Sequence, residues 1–584
     1  MFNTLLQFFT RRVTIPFFAK IETARAAFSK TEKAVFWVLC AILSISSLSL
    51  AARAYGLFLE DTPREGGSIT EGIIGTPRFI NPLLAISDAD RDLTALIYSG
   101  LLKATPEGTL IPDIAESYEV IDGGRSYIFK LKDAVRFHDG TQVTPEDVIF
   151  TVQKAQDPLI KSVKRANWEG VSVEKINERE IKFTLKQPYA PFIENATLGV
   201  LPKHLWKNID IEGFQFSTLN NNPVGTGPYK IEKIEENASR IPTTYTLSRF
   251  KDYTLGKPYI EKISIKFYGN EAALVDAFLK GNVESIGGIS PSAAFSLEEK
   301  KFTATRVPLP RIFGIFFNQN KSKILTEKPV REALAMSIDK EGLVKSVLLG
   351  YGSVINGPLP PNIAKINDVA LETKTRDDFL ADAIKILENG KWKKNKETGI
   401  FEKQHGKETE KLSIKLSTAS VPELRSAAEF VATEWRALGA EVELKFFDAS
   451  DLNQIVIRPR EYEALLFGEI IGRDLDLFAF WHSSQRNDPG LNISLYTNIK
   501  ADRLLEEARS ANDKQKLDAA LAGFAEEIKK DTPAIFLYAP DFIYFTPDKV
   551  KELSLGKLAL PSERWNNIYK AFIKTEKILP IFIK

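Results

Sequence analysis

A chain of 584 residues is too long for one hydrophobic core and implies two or three domains. Its 44% hydrophobic and 26% charged residues are those of a folded globular protein, and 78 basic against 76 acidic side chains leave a net +2, which gives nucleic acid no electrostatic footprint. The single cysteine, Cys40, excludes disulfides and cysteine-based metal or redox sites from the remainder of the chain.

Residues 1–33 carry Arg11, Arg12, Lys20, Arg25, Lys30 and Lys33 against Glu22 and Glu32, six minus two, or +4. Residues 34–52 then run without a charge, from Ala34-Val35-Phe36-Trp37 to Ala52. At 1.5 Å per residue that is about 28 Å of helix, just long enough to span a bilayer. The positive-inside bias predicts a cytoplasmic basic tail (1–33), a single transmembrane anchor (34–52) in the plasma membrane and an extracytoplasmic remainder. Ala52-Arg53-Ala54 loosely resembles a cleavage site, so the alternative is secretion after signal cleavage; the basic and apolar regions are both long for a signal peptide, which favours the anchor. Trp37-Val38-Leu39 lacks the small residue that precedes a lipidated cysteine, leaving Cys40 as a packing residue. Residues 53–66, within which the polar run EDTPREGG begins at Glu60, read as a linker.

Gly67–Asn81 reads as a strand and a proline-ended loop, and Asp88–Tyr98 as a helix with Leu93, Leu96 and Ile97 at helical spacing. After the turn Asp122-Gly123-Gly124, Ser126–Lys132 alternates with Tyr127, Phe129 and Leu131 on one face, a half-buried strand. A second short strand at Val135–Phe137 stops at His138-Asp139-Gly140, and Thr144-Pro145-Glu146-Asp147 opens a helix with Thr144 as N-cap and Asp147 at the capping-box position. Turn and cap chemistry thus accounts for His138, Asp139, Glu146 and Asp147. A hydrolase built on them finds no G-x-S-x-G, no H-E-x-x-H and no free cysteine outside the apolar segment, so the chain is not expected to be an enzyme.

Val171–Leu185 gives two strands joined at Asn177-Glu178. Asn222–Tyr229, NPVGTGPY, is a rigid, close-packed turn into a strand; no Lys-Ser/Thr pair follows to make it a phosphate cradle. Phe316–Asn318 is a strand, and Pro329 to Lys340 is a helix with Val330, Ala333, Leu334, Ser337 and Ile338 on one face. Leu412–Thr418, a helix Glu423–Leu438 closed by Gly439, and Val442–Phe447 form a strand–helix–strand unit and imply a parallel sheet. Tyr462–Phe467 and Pro533–Tyr538 are apolar strands, and Asp502–Arg509 and Leu517–Ile528 are amphipathic helices.

In order, Ala115-Glu116-Ser117-Tyr118, Asp122-Gly123, Tyr127-x-Phe129-x-Leu131, Val135-x-Phe137-His138-Asp139-Gly140 and Asp147-Val148 closely resemble the signature of the family 5 extracellular solute-binding proteins. These are the peptide- and nickel-type receptors of ABC importers. Pro223–Tyr229, Pro329-Val330-Arg331-Glu332-Ala333-Leu334 and Pro533–Tyr538 extend the resemblance over about residues 67–575. It implies an α/β fold of the type II (cluster C) periplasmic-binding-protein kind: two lobes joined by a hinge, plus an extra domain, after the N-terminal transmembrane helix. Family order would give lobe I as 67–97, 187–303 and 535–575, the additional domain as 98–186 and lobe II as 304–534. The implied function is capture of oligopeptides between the lobes and delivery to ABC permease and ATPase subunits, without a cofactor. A chelated metal, a glycan or a surface interaction role without transport is the alternative.

In the family's peptide receptors an Asp in a W-x-x-D-x-x-D/E-P stretch of the second lobe holds the ligand's ammonium. Here the stretch is Gly468-Glu469-Ile470-Ile471-Gly472-Arg473-Asp474-Leu475-Asp476, with Ile471 at the Asp position, no Pro, and Arg473 added. Glu469, Arg473 and Asp474 are therefore the candidate polar contacts. Phe480, Trp481, His482 and Asn492 resemble the loop beside the ligand, and none of the four histidines shows a paired metal spacing.

Overall fold

The computed structural model describes residues 28–57, 60–361, 375–473, 475–511 and 513–578. By its internal contacts the chain divides into two bodies, residues 1–64 with 574–584, and residues 65–573. In the first, Lys30–Leu57 is one helix. Residues 30–50 of it are long and apolar enough to cross a membrane by length and composition, and Val35, Leu43, Ile45, Leu48 and Leu50 are more than half exposed. The basic tail up to residue 27 lies outside the described residues. Part of the expected linker is instead a strand: Glu60–Arg64 pairs antiparallel with Lys574–Ile578. Its partner lies more than 500 residues away, so no local pattern announces it.

The second body is built on a twelve-stranded sheet. In chain order its strands are β1 (Ser68–Ile74), β2 (Tyr229–Glu236), β3 (Pro242–Arg249), β4 (Lys262–Tyr268), β5 (Ser285–Gly287), β6 (Ala304–Pro308), β7 (Arg311–Phe317), β8 (Gly352–Val354), β9 (Ser413–Ala419), β10 (Glu441–Phe447), β11 (Ala464–Ile470) and β12 (Ala534–Phe545). The order across it is β10-β9-β11-β7-β12-β5-β1-β4-β3-β2, with β6 and β8 also on β12. The expected β9–helix–β10 unit is parallel as predicted, and its helix Pro422–Leu438 ends on Gly439 at φ 111°, a conformation glycine adopts without strain.

One long strand serves both halves of this sheet. The first residues of β12 pair with β7, from Phe316↔Ala534 to Phe313↔Tyr538, whereas its last residues pair with β5 and β6, through Phe545 and Tyr544. Two large cores lie on either side. One gathers buried side chains from Ile312 to Ala539; the other gathers Ile69 to Ile265 and closes with Val550, Trp565, Ile568 and Ala571. The second core also takes in a four-stranded antiparallel sheet, Ala115–Ile121, Ser126–Leu131, Glu180–Thr184 and Ser172–Lys175, whose Tyr127, Phe129 and Leu131 point inward as the alternation requires.

Two expected elements are shorter than predicted. The strand at Val135–Phe137 reduces to a single bridge, Arg136↔Gln142, around the Gly140 turn. The helix from Pro329 stops at Met336 because Asp339 accepts the Gly342 N–H and caps a new helix, Lys340–Val347.

The end of β12 is held by buried charge. Arg564, 3% exposed, donates both Nη groups to the Asp92 carboxylate at 2.7 and 2.6 Å and one of them to Glu71 Oε1 at 2.9 Å. Glu71 Oε2 accepts from Tyr544 of β12 at 2.9 Å and from Ser285 of β5. Five segments thus meet in one buried cluster around Arg564 and Glu71. Removing it strands two carboxylates in the core, so Arg564→Met is expected to cost roughly 3–5 kcal/mol of unfolding free energy in urea titrations. The triple variant with Asp92→Asn and Glu71→Gln should recover most of that loss; no recovery would mean that packing, not charge pairing, dominates there.

Candidate functional site

Two stretches with a sharper chemical reading lock onto each other instead. The His138 N–H donates to Gly225 O at 2.8 Å, and the ring pairs Nε2 with Gly227 O at 3.0 Å. His138 is half-buried against Phe250, and desolvation of its ring lowers its pKa to about 4. It is a neutral structural imidazole. A Cβ at Gly225 would sit 2.1 Å from Ile97 O, so this turn must be glycine for the chain to cross the end of the helix Asp88–Ile97. Asp139 is taken by His204 at 2.7 Å, Glu146 by Lys175 at 2.8 Å and Asp147 by the Thr144 cap at 2.8 Å.

The same helix end opens on a cavity of about 220 Å³. Tyr98, Ser99, Gly100 and Lys103 line one wall, Glu194 to Gly199 another, Ser562 and Glu563 a third, and Arg473, just after β11, reaches in from the other half of the sheet. Arg473 donates to Glu194 Oε2 at 3.2 Å and to Glu563 Oε2, and these two carboxylates keep its guanidinium charged despite burial. A second bridge lies beside it. Tyr189 donates to Asp476 Oδ2 at 2.9 Å, Arg509 grips the same carboxylate at 2.6 Å, and its guanidinium lies 3.8 Å over the Phe478 ring. A larger cavity, about 600 Å³, is lined by residues from Glu332 to Thr532, all from one half.

Of the seven residues expected at the site, Arg473 is the one that lines the bridged cavity. Asp474 lies outside the described residues. Trp481 is buried among the rings of Phe316, Tyr496, Phe524 and Phe536, and Phe480 packs against the same core. His482 stacks on Phe478 at 3.9 Å and bonds Ser484 through Nδ1 at 2.7 Å. Asn492 donates to the carbonyls of Trp481, His482 and Tyr496 and accepts from Ser494 and the Tyr496 N–H, stapling the loop. Glu469, in β11 and 3% exposed, makes no hydrogen bond of ordinary geometry on either oxygen among the described residues, and the Trp481 side chain is the polar group that faces it. Sequence reasoning missed Lys103, Glu194 and Glu563, which lie up to 460 residues apart and meet only through the fold.

A family model described as "Bacterial extracellular solute-binding proteins, family 5 Middle" matches residues 109–492. The oligopeptide-binding protein AppA of Bacillus subtilis is 29% identical over 530 residues, covering 88% of this chain and 94% of that one. The solved structure of that AppA in complex with a nonapeptide superposes with a TM-score of 0.67 at 26% identity, covering 88% of this chain and all of that one. NikZ from Campylobacter jejuni in complex with Ni(L-His) gives 0.67 at 25% identity, covering 86% and 99%.

Burial raises the Glu469 pKa well above the usual carboxylate range, with the Trp481 side chain opposing. In the unfolded chain it titrates near 4.3. Between that pH and its folded value the native state binds the extra proton, so the contribution of Glu469 makes stability fall as pH rises. Glu469→Gln, the neutral isostere, is expected to flatten this slope and to stabilise the protein by roughly 1–3 kcal/mol at pH 7, measured by urea unfolding from pH 4 to 8. Destabilisation at pH 7 would show that the carboxylate is ionised and paired.

Proposed function

The chain belongs to the bacterial extracellular solute-binding proteins of family 5, and on that premise we propose that it captures oligopeptides between two closing lobes and delivers them to an ABC permease while anchored by its N-terminal helix. It is a binding protein, not an enzyme. The observation that carries the reading is the cavity bridged by Arg473, where a side chain of one half of the sheet is held by carboxylates of the other. Lobe I then comprises 67–97, 187–303 and 535–575, the additional domain 98–186, and lobe II 304–534, with the hinge at the runs 304–317 and 534–545. Bending there lets the halves separate as bodies.

Peptide as the ligand draws support from AppA of B. subtilis, the oligopeptide-binding relative whose structure holds a nonapeptide. The nickel–histidine complex of the C. jejuni relative supports a chelate instead; no histidine is among the described residues that line the cavity, which favours the peptide. Arg473 acts as the latch that tightens when the cleft is filled, and the Phe480–Asn492 loop supports the wall behind it. The long apolar helix favours a tethered receptor over a secreted one.

Native mass spectrometry of the full-length chain, released from detergent without refolding, tests the ligand class. Co-purified peptides of a few residues, and thermal stabilisation by added peptide mixtures, are expected; an empty protein that takes up only a nickel–histidine chelate would overturn the peptide reading. Arg473→Gln is expected to weaken peptide binding by about tenfold, mostly through faster release. An unchanged off-rate would remove Arg473 from the closing mechanism.

A further inference from the structure

The cavity bridged by Arg473 is lined by four cations, Arg91, Lys103, Lys164 and Arg473, and three carboxylates, Asp113, Glu194 and Glu563. The carboxylates are already in use. Glu194 and Glu563 hold Arg473, and Asp113 accepts from Tyr253 at 3.3 Å and from Thr254. Of the cations, Arg473 takes up two of these carboxylates, and the other three pair with none of them. Among the described residues Arg91 pairs with Asp88 at 3.7 Å on its own helix, and Lys164 makes no ion pair, with Glu563 attracting it from further off. Lys103, on the strand Leu102–Ala104, is 8% exposed, and its ammonium makes neither a hydrogen bond nor an ion pair among the described residues. The Tyr253 ring lies beside it, its centroid 5.5 Å from Nζ. Burial presses its pKa below the usual lysine range, with Asp113 opposing.

The Lys103 side chain is largely buried while its ammonium opens onto the cavity, where an occupant can supply the acceptor that the described residues do not. We propose that Lys103 is a ligand anchor, and that the peptide bound here places a carboxylate in this cavity, against Lys103, with Lys164 and Arg91 adding positive potential at its mouth. The cavity's about 220 Å³ is less than the roughly 300–1,000 Å³ of a site for a whole small ligand. It suits one end or one side chain of a longer peptide. The carboxylate is either the C-terminus or an Asp or Glu side chain. This inference rests on the peptide-binding reading above.

The test is calorimetry on the full-length chain in detergent with four tetrapeptides: Ala-Ala-Glu-Ala and Ala-Ala-Gln-Ala, each as the free acid and as the C-terminal amide. The wild type is expected to lose at least about tenfold in affinity when the anchored carboxylate is removed, as for a charge-assisted hydrogen bond. Loss on amidation identifies the C-terminus; loss on Glu to Gln identifies the side chain. Lys103→Met should erase that difference while still binding the peptide that has no carboxylate, and Lys103→Arg should restore it. Equal affinity for all four peptides, or a preference that persists in Lys103→Met, overturns the anchor and leaves the peptide reading standing. Failure of every peptide to bind overturns both.

Discussion

Strand β12 is the constraint on which this molecule depends. Its hydrogen bonds are divided between β7 on one side of Pro540 and β5 and β6 on the other, so neither half of the sheet is complete without it. Pro540 offers no N–H to the ladder, and Leu309-Pro310 separates β6 from β7 where the chain makes its other crossing. Two crossings at neighbouring points, each marked by a proline, are where the proposed hinge lies. The buried cluster of Arg564, Asp92, Glu71 and Tyr544 fixes the far end of β12 to its half. Burial raises the Asp92 pKa to about 6 against the pull of Arg564, a sign that desolvation of the cluster is only partly offset and that its value lies in fixing one arrangement.

The cavity follows from that frame. Asp88–Ile97 ends where Gly225 and Gly227 let another segment cross at backbone contact distance, and that crossing leaves Tyr98 to Lys103 facing Glu194, Glu563 and Arg473. His138, neutral and half-buried, braces the glycine turn from behind. Residues that read as chemistry in isolation are therefore scaffolding, and the charge that is left over, Lys103, sits on an unremarkable short strand. Near-neutral overall charge is compatible with the proposed site, which relies on charges within the cavity and not on the field of the whole surface.

Much of the fold was legible in the residues. The Thr144 cap, the Gly439 stop, the Ser126 to Leu131 alternation and the parallel β9–helix–β10 unit each follow from local rules. What was not legible depends on distant partners. The Glu60–Arg64 strand needs residues 574–578, and the full length of β12 beyond Tyr538 is set by β5, β6 and β8. At the site, Arg473 was recognisable because it departs from the family's pattern. Trp481, His482 and Asn492 carried the right residue types in the right stretch, but aromatic packing and an amide staple use them before a ligand could. Lys103 carried no signal, since a lysine in a short strand is ordinary until its carboxylate neighbours are found to be occupied.

Closure on a ligand is the centre of the account, and the distance between the halves reads it directly. In full-length chain with Cys40→Ala, spin labels at Lys161 and Glu443, both exposed or near the surface on opposite halves, can be measured by double electron–electron resonance with and without peptide. The account predicts a broad or two-component distribution that collapses to its closed component when peptide binds. An identical distribution with peptide demonstrably bound would contradict it and leave a rigid receptor.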